Sequence, residues 1–148
     1  MLADSSPYID TVHWAQWRDT WHMQLPQGCG GECDAGYPGI IDRVITANAT
    51  RRIALLSNDH DGIVSWFFYA APGVGPVYAP PTGTFNTNLN GLLTRYDQSP
   101  NAKYFVVPGT GHVLAPSADT LKSGDAGVLL REWIDAWATP DAGWASTR

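Results

Sequence analysis

Two apolar runs, each ending in polar residues, constrain the fold of this chain most strongly. The first lies in "RRIALLSNDHDGIVSWFF", residues 51–68, where four apolar residues lead into the polar stretch 57–61. The second lies in "AKYFVVPGTGHVL", residues 102–114, and ends in a glycine-rich turn followed by His112. Short, uninterrupted apolar runs are typical of parallel strands that are buried on both faces. The sequence therefore predicts two parallel strands whose carboxyl ends carry titratable side chains.

The segments around these strands show helical or loop patterns. Residues 2–10 are interpreted as the end of a strand that opens into a loop, and 72–84 as a loop rich in proline and glycine. Helices are predicted at five places, namely 11–25, 39–49, 62–71, 85–99 and 124–138. Alternation of strands and helices predicts an α/β fold with a parallel sheet flanked by helices. The length of 148 residues fits a single domain, residues 1–148.

Composition and charge exclude several classes of partner. Hydrophobic residues make up 44% and charged residues 16% of the chain, which argues against disorder. The net charge is −5 and the nine Lys and Arg residues form no cluster, so neither a nucleic-acid nor an anionic membrane partner is expected. No apolar stretch approaches the roughly 18 residues that a membrane-spanning helix requires.

The two cysteines leave the redox state open. Cys29 and Cys33 lie in "PQGCGGECDAG" with the spacing C-x3-C, which differs from the C-x-x-C of redox sites. The glycines allow the two sulfurs to meet in a small disulfide, and two free thiols on a surface loop are an equal alternative. Two ligands are too few for a structural zinc site. Although these points weigh against it, a small redox or metal protein centred on the two cysteines is kept as one alternative hypothesis.

Tryptophan content supports another hypothesis. The chain holds seven tryptophans, and three of them recur at helical spacing between residues 14 and 21. Most aromatic side chains are expected in the core, although some stack on rings of a ligand. A non-catalytic carbohydrate-binding or interaction module is therefore the alternative to an enzyme.

The polar strand ends favour acid–base chemistry. An acid after one strand and a histidine after a later strand follow the order of the second half of a Ser-Asp-His triad. In such a triad, imidazole takes the proton of the serine hydroxyl, and the carboxylate orients the imidazole. Asp59 and Asp61 are also suited to cap the following helix, so either role is open to them. No G-x-S-x-G motif occurs, and Ser57 lacks the sharp turn of a nucleophile.

Four segments carry a resemblance to a known family. They are "LADSSPYID" (2–10), "LLSNDHDGIVSWFFY" (55–69), "YFVVPGTGHVL" (104–114) and "GVLLREWIDAW" (127–137). In order, they resemble the D-S-G-P segment, the acid-bearing segment, the histidine segment and the closing helix of the pectin acetylesterase/Notum-like α/β hydrolases. Ser6 stands where that family usually has glycine.

The resemblance implies a site and an activity. It assigns Asp61, which directly precedes Gly62-Ile63-Val64, as the acid, and His112 as the general base. It implies hydrolysis of carboxylic esters, with either a small-molecule ester or an acetylated polysaccharide as the substrate. It implies no metal and no organic cofactor. Because members are mostly secreted, it also implies a secreted or periplasmic location and agrees with a disulfide between Cys29 and Cys33.

The resemblance also predicts that part of the hydrolase lies outside this sequence. The family's nucleophilic serine precedes the D-S-G-P segment, which begins here at residue 2. The chain is therefore expected to be the C-terminal part of an α/β hydrolase, lacking the N-terminal strands, with an upstream segment supplying the nucleophile. Alone, it is predicted to have little or no esterase activity and to leave one edge of the sheet exposed.

Overall fold

The computed structural model describes residues 1–5, 7–70, 81–114, 127–139 and 143–148. Three strands and six helices lie in these ranges: β1 (Leu2–Asp4), α1 (Trp14–Thr20), α2 (Gly31–Asp34), α3 (Tyr37–Ala47), β2 (Ile53–Asn58), α4 (Gly62–Tyr69), α5 (Thr82–Asp97), β3 (Ala102–Val107) and α6 (Leu130–Ala138). The predicted α/β class and both predicted apolar strands are therefore confirmed. Among the described residues, no helix is long and apolar enough to cross a lipid bilayer.

The three strands form one parallel sheet in the order β1-β2-β3. Every residue of β2 is buried, because β2 is the central strand and side chains pack against both of its faces. The outer edge of β3 is partly covered by the C-terminal segment, where Val106 donates its N–H to the carbonyl of Thr147 at 3.0 Å. Within the described residues, β1 pairs only with β2.

Alternation along the strands divides the core into two layers. Ile53 and Leu55 of β2 face helices α3, α4 and α5, whereas Ala54 and Leu56 face α6 and the C-terminal segment. The first layer is the larger; its fully buried large side chains include Ile41, Phe85, Leu89, Leu93 and Tyr96. The second layer centres on Phe105, Leu114, Leu130 and Trp133.

Several predicted boundaries were wrong in detail. Helix α1 ends at Thr20 rather than near residue 25, because His22 has a left-handed backbone (φ 47°) that a helix does not accommodate. Helix α5 begins at Thr82, so the end of the predicted loop 72–84 is helical. The segment 62–71, ambiguous between helix and strand, forms a helix as favoured. Parts of these predictions lie outside the described residues. They are Ala71 of the predicted helix 62–71, residues 72–80 of the predicted loop, residues 124–126 of the closing helix and Pro140, its predicted stop.

The cysteine loop contains a helical turn that the sequence did not indicate. Cys29 and Cys33 form a disulfide, and Cys33 lies fully buried in α2. The backbone of α2 approaches α3 closely, since a Cβ atom at Gly39 would collide with the carbonyl of Glu32. The disulfide joins the loop to α2, and the close contact at Gly39 packs α2 against α3.

Candidate functional site

The loops that follow β2 and β3 are joined by backbone hydrogen bonds. Asp59 donates its N–H to the carbonyl of Val107 at 2.9 Å, and His60 donates to that of Gly109 at 3.1 Å. Gly62 continues the series by donating to Thr110 at 3.1 Å. The pairing of the two strands thus extends beyond their ends. It brings the two polar segments noted in the sequence to the same edge of the sheet, where open α/β folds place functional groups.

Asp61 is fully buried and uses both of its carboxylate oxygens. Oδ1 accepts hydrogen bonds from the backbone N–H groups of Ile63 and Val64, each at 3.0 Å, and so caps the N-terminus of α4. Oδ2 lies 2.8 Å from Nδ1 of His112. The two roles left open by the sequence, helix cap and partner of the histidine, are therefore both present in one side chain.

His112 lies in the loop after β3 and is 34% exposed. Because the buried Asp61 carboxylate is an acceptor, the contact assigns the proton of a neutral imidazole to Nδ1. Nε2 then carries the lone pair, which is the form that takes a proton from a hydroxyl group. Within the described ranges, no side chain forms a hydrogen bond to Nε2.

A second aspartate–histidine pair lies beside the first. Nδ1 of His60 is 2.8 Å from Oδ1 of Asp59, and the same oxygen accepts the N–H of Gly109 at 2.8 Å. The Asp59 carboxylate is thereby engaged in holding the glycine-rich turn rather than in capping α4. This second pair has the same aspartate–histidine contact as Asp61 and His112, but it does not line the cavity described below. It therefore serves as an internal control for the role of His112.

The described serines near the site are engaged elsewhere. Ser57 is fully buried and donates to the carbonyl of Asn58 at 2.9 Å. Ser5 lies at the end of β1, where its Oγ accepts the N–H of Val113 at 2.8 Å and contacts Asp4 at 3.2 Å. Neither hydroxyl is placed as a nucleophile for His112. For Ser57 this agrees with the sequence, which lacks the sharp turn of a nucleophile at that position. Ser6 lies outside the described residues.

A cavity of about 310 Å³ opens beside His112. Its wall is mostly aromatic and aliphatic and consists of Ser5, Pro7, Tyr8, Tyr37, Ile63, Val64, Phe67, Phe68 and His112. Burial raises the pKa of Tyr37, with a further contribution from nearby Tyr8, so the Tyr37 hydroxyl stays uncharged. The cavity could not be predicted from the sequence, because its residues come from four separate segments that only the fold brings together.

An aromatic surface continues from this cavity. Phe68 lies against the edge of Trp17, with ring centroids 5.5 Å apart, and Trp17 stacks on Trp21 at 5.2 Å. Trp21 is 59% exposed, although its spacing from Trp14 and Trp17 placed it on the same helical face. Trp14 by contrast is buried and donates its indole N–H to the carbonyl of Asp34.

The described residues offer no metal centre, since no three of their His, Cys, Asp or Glu side chains are grouped to hold a metal ion. Cys29 and Cys33 are joined in the disulfide, so their sulfurs are not free thiolates. The described residues therefore give no support to a metal site at these cysteines, and the redox hypothesis remains untested.

Comparison with other proteins adds no further assignment. No family model, curated protein or solved structure matches this chain. What stands from the structure is an α/β fold with a three-stranded parallel sheet, and a buried aspartate that holds a histidine at one edge of it. The resemblance to pectin acetylesterase-like hydrolases remains a prediction.

Proposed function

We propose that this chain supplies the acid and the base of a serine carboxylic ester hydrolase of the pectin acetylesterase-like kind. The observation that carries the proposal is the 2.8 Å contact between Asp61 Oδ2 and His112 Nδ1 at the carboxyl ends of neighbouring parallel strands. In the proposed reaction, Nε2 of His112 takes the proton of a serine hydroxyl as that hydroxyl attacks the ester carbonyl. It then gives the proton to the leaving alcohol, and a water molecule activated by the same Nε2 afterwards releases the acyl group from the serine as a carboxylic acid. Asp61 stabilises the imidazolium formed in between.

The nucleophile in this proposal comes from a segment other than the described residues. Ser5 and Ser57 are engaged in other hydrogen bonds, so neither takes this role. The hydrolase resemblance places upstream strands beside β1, whose outer edge has no strand partner within the described ranges. A strand that pairs with β1 in the parallel direction, as β2 does, brings its carboxyl end to the same edge of the sheet as His112.

The wall of the cavity supports an apolar group on the substrate. Beyond His112 and Ser5, the lining consists of aromatic, aliphatic and proline side chains. A volume of about 310 Å³ exceeds the needs of an acetyl group and suits a longer acyl chain or an aromatic ring. We therefore propose small-molecule esters with an apolar acyl or alcohol group as the preferred class over acetylated polysaccharide. This chemistry requires no metal and no organic cofactor.

The disulfide supports the proposed location. Disulfides such as Cys29–Cys33 persist mainly in oxidising compartments. The location proposed for the protein is therefore secreted or periplasmic, as the family resemblance implies.

A test of this function begins with the DNA immediately upstream of Met1. The proposal expects an in-frame continuation that encodes a serine framed by glycines. It also expects the protein expressed from the longer reading frame to hydrolyse p-nitrophenyl esters. The 148-residue chain alone is expected to remain near the uncatalysed rate. Strong turnover of p-nitrophenyl acetate by the chain alone, lost in His112→Ala, contradicts the proposed external nucleophile; no hydrolysis by the longer protein contradicts the proposed activity.

The stacked pair of Trp17 and Trp21 supports a second candidate, a carbohydrate-binding module without catalysis. The outer face of an exposed indole offers a flat apolar surface on which a sugar ring can stack. Glycan binding by the chain, lost in Trp21→Ala and retained in His112→Ala, with no hydrolysis by the longer protein, would favour this candidate. The absence of glycan binding would end it.

A further inference from the structure

We infer that Asp4 and Ser5 are positioning residues that fix the backbone on the C-terminal side of His112 and thereby hold its imidazole against Asp61. This inference rests on the proposed function for its catalytic meaning, but it concerns residues to which that function assigns no role. The two side chains lie at the end of β1, 108 and 110 residues away from the backbone groups they bind.

The contacts form a short chain of hydrogen bonds. Oγ of Ser5 accepts the N–H of Val113 at 2.8 Å, and Oδ1 of Asp4 accepts the N–H of Leu114 at 2.8 Å. The Ser5 hydroxyl donates to the same Asp4 oxygen at 3.2 Å, which orients both acceptors toward the loop. Two successive peptide groups directly after His112 are thus bound to the end of β1.

The backbone at these positions is held in a conformation that it rarely adopts. Val113 has φ 63° and Ser5 has φ 53°, both in the left-handed region. A β-branched residue such as valine is strongly disfavoured there, so the surrounding contacts must impose the conformation. Val113 is also 40% exposed, and burial of its side chain therefore does not explain the turn. The hydrogen bonds from Val113 to Ser5 and from Leu114 to Asp4, together with the buried side chain of Leu114, are the described contacts that hold this turn.

Ser5 on one side of these hydrogen bonds and Leu114 on the other are both fixed by the core. Ser5 is 2% exposed and donates its own N–H to the carbonyl of Leu56 at 2.8 Å, which ties it to β2. Leu114 is fully buried among the side chains of the second core layer. His112 is therefore held from two directions: Asp61 binds its imidazole, and Asp4 and Ser5 bind the backbone that follows it. If the side chain of Asp4 or of Ser5 is removed, we expect the imidazole of His112 to adopt other orientations in addition to the productive one.

The chain offers matched variants for a test by nuclear magnetic resonance of the 15N-labelled, 148-residue protein. Ser5→Ala and Asp4→Ala remove the acceptors. Asp4→Asn keeps an acceptor oxygen. Ser57→Ala removes a buried hydroxyl from the end of the neighbouring strand, where it donates to the carbonyl of Asn58 rather than to the His112 loop. At a pH where the imidazole is neutral, the wild type, Asp4→Asn and Ser57→Ala are expected to show His112 with its proton on Nδ1. Ser5→Ala and Asp4→Ala are expected to show exchange between both tautomers and loss of the slowly exchanging Nδ1 proton.

An unchanged His112 tautomer in both Ser5→Ala and Asp4→Ala overturns the inference. If these variants fail to fold, hydrogen–deuterium exchange of the wild type decides: the Val113 and Leu114 amides are expected to be protected, and exchange at the rate of an open loop overturns it. Neither readout needs turnover, so a failure of the proposed hydrolysis is distinguishable from a failure of this inference. In a hydrolysing longer protein, Ser5→Ala is further expected to lower kcat by up to ~100-fold with little change in KM.

Discussion

Asp61 and His112 are 51 residues apart in the sequence and share a 2.8 Å contact between Oδ2 and Nδ1. The aspartate also accepts two backbone N–H groups at the start of α4 through its other oxygen. One buried carboxylate therefore joins the loop after β3 to the helix after β2. Capping of α4 and the proposed catalysis use different oxygens of the same side chain, which makes the two roles separable by substitution.

Asp61→Asn and Asp61→Ala are expected to separate these roles. Asparagine keeps an oxygen that can cap α4, so we expect the free energy of unfolding to fall by less than about 1 kcal/mol. Alanine loses the cap and the histidine contact together and is expected to cost about 2 kcal/mol. In a hydrolysing longer protein both variants are expected to lose kcat by ~10⁴-fold. The amide of asparagine favours the wrong imidazole tautomer, and alanine leaves the imidazole without a partner. Urea unfolding and steady-state kinetics measure the two effects; equal destabilisation by both substitutions would contradict the capping role.

Tyr96 is expected to make stability depend on alkaline pH. Burial raises the pKa of Tyr96, and no described group forms a hydrogen bond with its hydroxyl. The unfolded chain therefore releases this proton first, at about pH 10, and stability is lost as the pH rises above that value. Tyr96→Phe is expected to be neutral or slightly stabilising at pH 7, because it removes an unsatisfied buried group, and to reduce the loss above pH 10.

Tyr104→Phe serves as the control for Tyr96→Phe. Burial raises the pKa of Tyr104 too, but its hydroxyl donates to Asp97 at 3.2 Å. We expect this variant to lose about 1 kcal/mol at pH 7, unlike Tyr96→Phe. The free energy of unfolding, measured in urea between pH 7 and 11, compares the two. A Tyr96→Phe variant that is much less stable than wild type at pH 7 would refute the account of an unpartnered hydroxyl.

The cavity beside His112 predicts a dependence on the size of the acyl group. Ile63 lines the cavity and is 48% exposed, so Ile63→Trp can narrow the cavity without disturbing the core. In a hydrolysing longer protein we expect kcat/KM for p-nitrophenyl hexanoate to fall ~10-fold or more relative to p-nitrophenyl acetate. Val12→Trp places the same side chain at an exposed position outside the cavity wall and should change neither value. An equal loss with both esters would show that the cavity does not hold the acyl chain.

The disulfide is expected to contribute modestly to stability. Cys29 and Cys33 close a loop with a sequence separation of 4, for which the loss of chain entropy in the unfolded state corresponds to about 2 kcal/mol. The sequence has no other cysteine, so dithiothreitol acts at this bond alone. Urea unfolding with and without the reductant measures the difference. An unchanged midpoint after complete reduction, verified by thiol titration, would contradict this prediction.

Local patterns in the sequence were sufficient to predict the two strands and the helix that carry the candidate site, β2, β3 and α4. The apolar runs predicted β2 and β3, and because parallel strands end at the same edge, the polar residues after them were expected to lie close together. The choice of Asp61 rather than Asp59 as the partner of His112 came from the resemblance to pectin acetylesterase-like hydrolases. Helix α4 was favoured from a short aromatic segment, and capping by Asp61 accounts for its start. These features depend on neighbours in the sequence or on the direction of two strands.

Other features depend on contacts between distant residues, and the sequence alone did not reveal them. The hydrogen bond from Val113 to Ser5 spans 108 residues and depends on left-handed backbone at both ends, neither of which is glycine. The helical turn α2 depends on the disulfide and on the close approach permitted by Gly39. A hydrophobic pattern predicts that a side chain is buried or exposed, but not which distant backbone group it contacts.

The neighbouring histidines provide the most direct test of the central claim. His60 and His112 each lie 2.8 Å from an aspartate, but only His112 lines the cavity. The decisive measurement is kcat/KM for p-nitrophenyl ester hydrolysis by the protein from the longer reading frame that the proposal expects, and by its His112→Ala and His60→Ala variants. The account predicts a loss of at least ~10³-fold in His112→Ala and less than ~10-fold in His60→Ala. Retained hydrolysis in His112→Ala, or an equal loss in His60→Ala, would contradict the assignment of His112 as the base.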